Sequence, residues 1–169
     1  MEITIAIIIG FLSIVAVVLI FMRGERRRQQ EHYRDKTLQT ILPNRLQAYE
    51  RLTLYVERIR PESMIPREQM SVNTTFELHS MLINNIKLEL EHNIAMQVYI
   101  SSASWQRILR ARDEVQNLLT KVAKETNPKA SSLEYGRKVL ERSKDECSFY
   151  IDRAIEGLRR DIDGLFINN

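Results

Sequence analysis

The chain is predicted to be all-α, with one N-terminal transmembrane helix followed by an antiparallel cytoplasmic bundle of about four long helices. Three observations predict this. Residues 3–22 carry no charge. Beyond them, apolar residues recur at spacings of three and four through several long segments. Glycine and proline number only five and four in 169 residues, and the prolines fall where such segments would kink or stop.

The first element, Ile3 to Met22, reads ITIAIIIGFLSIVAVVLIFM. Twenty helical residues rise about 30 Å, the thickness of a bilayer's hydrocarbon core. Ile, Val and Leu occur on every side, so no polar face suits a half-buried helix. A cleaved signal peptide would want a basic start, a shorter apolar region and a small-x-small exit. Here Glu2 is the only charged side chain before the run and the exit is Phe21-Met22, so the segment reads as a retained anchor spanning 1–24. Ala6, Gly10 and Ser13 form a strip of small residues that would let another transmembrane helix approach closely.

Arg23, Arg26, Arg27, Arg28, Arg34 and Lys36 follow the run, and no basic side chain precedes it. Short-loop Lys/Arg excess stays in the cytoplasm, which puts the N-terminus outside and residues 25–169 inside. Residues 23–36 hold six Lys/Arg against Glu25, Glu31 and Asp35, enough to account for the whole net charge of +3. The rest of the chain is close to neutral and has no electrostatic footprint for nucleic acid. The cluster Arg23, Arg26, Arg27 and Arg28 suits orientation and anionic lipid heads. Cys147 is the only cysteine, so no intrachain disulfide can form; it falls on an apolar stripe, where a small buried hydrophobe is the usual role.

A first cytoplasmic helix is expected over about 25–60, carried by Leu38, Leu42, Leu46, Tyr49, Leu52, Val56 and Ile59. Pro43 either kinks it or restarts it as a first helical residue. Pro61 ends it, and Pro61 to Ser71, with a second proline at Pro66, reads as a loop. A second helix over about 74–100 has Phe76, Leu82, Ile83, Leu90, Ile94 and Ile100 on one face. His79, Asn93 and Gln97 fall in the middle of that stripe. Polar groups in an apolar seam cost stability unless paired, so these three are the candidate helix-pairing residues. A satisfied buried polar group within one chain is their plainer reading, and contact with a second protein the sharper one.

The run Val98 to Ser104 breaks the rhythm, and a serine ahead of Trp105 suits an N-cap. A new helix over about 103–125 would carry Trp105, Ile108, Leu109, Val115, Leu119 and Val122; an unbroken helix through the serines is the alternative. The last helix, about 131–165, opens on the capping-box pattern Ser131-Ser132-Leu133-Glu134. Its stripe runs Leu133, Leu140, Cys147, Ile151, Ala154, Ile155, Leu158, Ile162 and Leu165, a heptad-like spacing that suits shallow helix packing. Short loops would fold these helices antiparallel, returning Leu165, Phe166 and Ile167 towards the membrane.

No glycine-rich phosphate loop occurs, and one cysteine with three histidines cannot assemble a zinc site of the usual spacing. Glu89-Leu90-Glu91-His92 has the E-x-x-H spacing of di-iron bundles, which need it twice with two further glutamates; it occurs once. Trp105 and Tyr99 suit core packing over an aromatic recognition patch. Ser101, Ser102 and Ser104 have no histidine base beside them in sequence. No catalytic, cofactor or metal residue is assigned.

The run LPNRLQAYERLTLYVERIRPESMIPR, followed by ELEHNIAMQVYISSASW, resembles an uncharacterised family of short single-pass membrane proteins of Bacteroidota bacteria. The resemblance covers nearly the whole chain, through the words RLQAYERL and E-H-N-x-x-x-Q-x-Y-[IV]-S. It implies a Gram-negative inner membrane with a periplasmic N-terminus, and brings no catalytic residues. The expected function is that of an inner-membrane-anchored helical adaptor, assembly factor or accessory subunit, not an enzyme. Its partners would be lipids and proteins, including a second copy of itself. A self-associating structural stalk is the alternative, and a metal-binding bundle enzyme a remote one.

Overall fold

The computed structural model describes residues 41–167, with side chains to Leu165. The apolar run Ile3–Met22, the strip Ala6, Gly10 and Ser13, the arginines Arg23, Arg26, Arg27 and Arg28, and the side chains of Phe166 and Ile167 lie outside it. Among the described residues no helix is long and apolar enough to cross a membrane. From residue 44 onward the described chain forms one compact unit. It is helical; among the described residues the one β feature is an isolated antiparallel bridge, Thr74 with Ser131.

Six helices occur among the described residues where about four were expected. Helix α1 is described over 41–58. It buries Ala48, Tyr49, Leu52, Tyr55 and Val56, with Ile59 buried just past its end, the three-and-four pattern of one helical face, at about 1.5–3 kcal/mol for each large side chain. Ile41 and Leu42 are helical ahead of Pro43, so Pro43 is not the first helical residue.

The stretch expected to be a loop is α2, Pro61–Glu68, continued by a 3-10 turn over Gln69–Ser71. The first helical N–H groups lack partners in any helix, so Pro61 at the start costs nothing, and Pro66 removes a single bond. Burial of Pro61, Met64 and Ile65 outweighs that loss. Arg60, at the corner between α1 and α2, reaches Glu57 at 3.0 Å and Asp152 at 2.8 Å.

Helix α3, Thr75–Asn93, starts on a true capping box: the Thr74 hydroxyl accepts from Glu77 N–H, and the Glu77 carboxylate accepts from Thr74 N–H. A 3-10 turn over Ile94–Tyr99 follows, then α4, Ser102–Lys124, capped by Ser101 Oγ accepting from Ser104 N–H. The break expected near the serines is therefore real, and the unbroken helix is excluded.

Helix α5, Ser132–Glu146, and helix α6, Ser148–Ile167, replace the single helix expected over 131–165. At their junction the Ser143 carbonyl receives Cys147 N–H at 3.0 Å, Ser148 Oγ at 3.2 Å and Cys147 Sγ at 3.4 Å. Side-chain donors competing for a helical carbonyl break the repeat without proline or glycine. The expected capping box of α5 does not form. Ser131 Oγ accepts from Leu133 N–H, while Glu134 pairs with Lys138 at 2.7 Å.

The inner face of α5 also differs from the expected stripe. Tyr135, Gly136, Val139 and Ser143 are buried, and Leu133 is 56% exposed. A Cβ on Gly136 would stand 2.9 Å from Ile65 Cγ2, so only glycine admits α2 this close. Helix α4 packs along both α5 and α6. Gly157 of α6 faces Ser104 and Arg107 of α4, where a Cβ would stand 3.1 Å from Ser104 Oγ.

Both ends of α3 and α4 are tied to other parts of the bundle by hydrogen bonds. At one, Arg45 donates to Tyr99 O at 3.2 Å and Ser101 donates to Asp161 through N–H and hydroxyl, gathering the first described turns of α1, the start of α4 and the last turns of α6. The chain enters the unit there. At the other end of α3 and α4, residues 69–76 and 128–132 are stitched by backbone bonds, among them Thr75 N to Ala130 O at 2.8 Å and Ser132 N to Asn73 O at 2.9 Å.

Candidate interaction surface

The three seam polars expected to act together are separated by the fold. His79 is half-buried and does link helices: its Nδ1 lies 3.3 Å from the Tyr135 hydroxyl of α5. That hydroxyl donates to Leu119 O of α4 at 3.0 Å, so its oxygen accepts from His79 Nδ1–H. The tautomer is thereby set, and three helices share one buried chain of donors. Burial holds the His79 imidazole below its ordinary pKa and pushes the Tyr135 phenol up.

Asn93 is buried but turns back on its own helix, donating to Glu89 O at 2.8 Å. Gln97 is exposed on the 3-10 turn and pairs no helices. Phe76 and Ile94, placed on the same inner stripe by the sequence pattern, are 66% and 48% exposed. The inner face of α3 is instead Leu78, Leu82, Ile86 and Leu90. At 100° per residue both Phe76 and Ile94 lie about 80° from Ile86, at the edge of that stripe, and this edge faces outward, whereas Ile100 is buried as expected.

Glu89 and His92 have different surroundings. Arg58 of α1 holds the Glu89 carboxylate at 3.0 Å, and His92 is exposed. Among the described residues no group of three His, Cys, Asp or Glu side chains could hold a metal ion. Trp105 is half-buried against the core, and Cys147 is fully buried, its thiol pushed up to about 12 chiefly by desolvation.

The pair Arg58–Glu89 instead lies in an open surface cleft of about 630 Å³ between α1, α2 and α3. Arg67, Glu68 and His92 line it with them, and Leu88 stands on its wall, 52% exposed. A smaller recess of about 200 Å³ shares Arg58, Glu89 and His92 and reaches Arg51 and Leu54. Arg58 is committed to Glu89 and Arg67 to Glu68 at 2.8 Å. Both guanidinium groups in the cleft are therefore engaged by carboxylates of the same chain.

A second exposed apolar group marks the stitched end of the bundle. Met70 is 80% exposed, Phe76 66% and Leu133 56%. The backbone bonds between 69–76 and 128–132 bring the three residues to one end. Single exposed apolar residues are common on any surface, but three large ones at one braced end are the condition for a contact patch. Sequence periodicity had assigned Phe76 and Leu133 to inner stripes, whereas the core takes Leu78 and Leu82 from α3 and Tyr135 and Val139 from α5.

Neither a protein of described function nor a solved structure shows significant similarity to the chain. A family model does, along residues 1–165, in keeping with the expectation of an uncharacterised family. The chain belongs to DUF7935, a family of unknown function.

Proposed function

We propose that the protein is a membrane-tethered helical adaptor, an assembly factor or accessory subunit that holds a protein partner beside the inner membrane. The reading joins two features. The uncharged run Ile3–Met22, followed by the basic cluster from Arg23, has the length and flanks of an anchor with a cytoplasmic C-terminal side. The bundle that follows carries exposed apolar residues on a braced end and charged groups paired within its cleft.

The observation that carries the reading is the end formed by Met70, Phe76 and Leu133, opposite the end where the chain enters the bundle. A rigid, preorganised apolar patch lowers the ordering cost of association. Tethering would raise the partner's effective concentration at the membrane. The partner is a protein with a complementary apolar surface.

The test is crosslinking of the full chain in native membranes, with and without Phe76→Glu and Leu133→Glu. A reproducible membrane subunit captured by the native chain and lost from both variants supports the adaptor. Recovery of the same subunit from the variants, or iron or manganese bound in the purified protein, counts against it.

A further inference from the structure

We infer that the outward face of α1 is a self-association surface, on which two copies of this chain pack antiparallel about a two-fold axis at Leu54. The inference is independent of the adaptor reading and uses a different part of the bundle. Along α1 the exposed residues Gln47, Glu50, Leu54 and Arg58 form one stripe opposite the buried face of Tyr49, Leu52 and Val56, with Leu46, 40% exposed, at its edge. Leu54, 49% exposed, is the apolar residue at its centre. Leu88, 52% exposed across the cleft, widens the apolar ground beside it.

An isologous interface must be complementary to itself: residue i meets residue j, and j meets i. The charges of α1 obey this rule about Leu54. Glu50 stands one turn before it and Arg58 one turn after; Arg51 stands three residues before and Glu57 three after. Reversing the second helix places each acid opposite a base, giving four cross-helix pairs in the dimer. A parallel pairing would set like against like. Glu50 and Arg51 make no ion pair within the chain among the described residues, and so stand available to a partner. Arg58 and Glu57 keep their bonds to Glu89 and Arg60 at 3.0 Å, which hold them in place at the face.

Cysteine crosslinking of the full chain in cells, with a short membrane-permeant bismaleimide, tests the axis directly. Cys147 is fully buried, so the native chain supplies the background. Leu54→Cys, lying on the axis, links to itself. Glu50→Cys links to Arg58→Cys of a differently tagged, co-expressed copy in preference to another Glu50→Cys. Arg51→Glu in the Leu54→Cys background lowers the dimer by about tenfold, the effect of roughly 1.4 kcal/mol of lost pairing, and adding Glu57→Arg restores it. Leu54→Cys yielding no more dimer than Lys144→Cys, an exposed position on α5, would show that the face simply meets water. Equal coupling of Glu50→Cys with itself and with Arg58→Cys would overturn the antiparallel geometry.

Discussion

Gly136→Ala is the perturbation whose outcome follows most directly from the packing. The added methyl would stand 2.9 Å from Ile65 Cγ2 and 3.0 Å from Gln69 Oε1. Comfortable carbon contacts begin near 3.5 Å, so Ile65 must retreat by about 0.6 Å. Ile65 is fully buried and its short helix is fixed at the Arg60 corner, which leaves it little room. Overpacking of this size costs about 1–3 kcal/mol, while replacing glycine by alanine within a helix returns about 0.8–1 kcal/mol. The net expectation is a loss of about 1 kcal/mol. At Gly164 a Cβ meets no heavy atom within 4 Å, so Gly164→Ala keeps the propensity gain and stabilises by up to about 1 kcal/mol. Thermal unfolding of the full chain in detergent, followed by circular dichroism, separates the two by several degrees, at about 2–8 °C per kcal/mol. Ile65→Leu removes the clashing branch and recovers part of the loss. Equal stabilisation by both alanines would refute the close approach of α2 to α5.

The remaining expectations concern caps, titration and burial. Thr74→Ala removes the hydroxyl that accepts from Glu77 N–H and costs about 0.5–2 kcal/mol in denaturant titration; an unchanged midpoint would mean that the box contributes nothing. His79 has a folded pKa below its unfolded value because burial disfavours the imidazolium. Its contribution is therefore fully present above about pH 6.5 and is lost as pH falls through that value towards the folded pKa. His79→Gln should flatten the stability profile in that window, and an unchanged slope would contradict the assignment. Cys147, fully buried with its thiol pushed up to about 12, should resist maleimide at pH 7 until the chain unfolds; rapid labelling of the folded chain would contradict its place in the core.

How far the fold could be read from the sequence depended on which signals act locally. The helix starts near Thr75 and Ser102 were legible because capping is written in adjacent side chains. Pro61 misled because proline signals a boundary without saying on which side the helix lies; here it opens α2. The break at Cys147 was hidden, since the competition for the Ser143 carbonyl arises from ordinary serine and cysteine side chains within an unbroken apolar stripe. Of the seam polars, His79 reached another helix, whereas Asn93 bonded locally and Gln97 lay in the 3-10 turn. Periodicity reports a face but not the partner of a polar group on it. The cleft residues Arg58 and Glu89 lie thirty-one positions apart, and no local pattern could have joined them.

The central claim, a bundle held at a membrane with its C-terminal side in the cytoplasm, is tested most directly by a tag on Asn169. Sealed membrane vesicles of known orientation, probed with protease before and after permeabilisation, report both location and side. The account predicts a tag that sediments with the membranes and is cleaved only from the cytoplasmic face. A tag recovered in the soluble fraction, or cleaved from the opposite face, would contradict it.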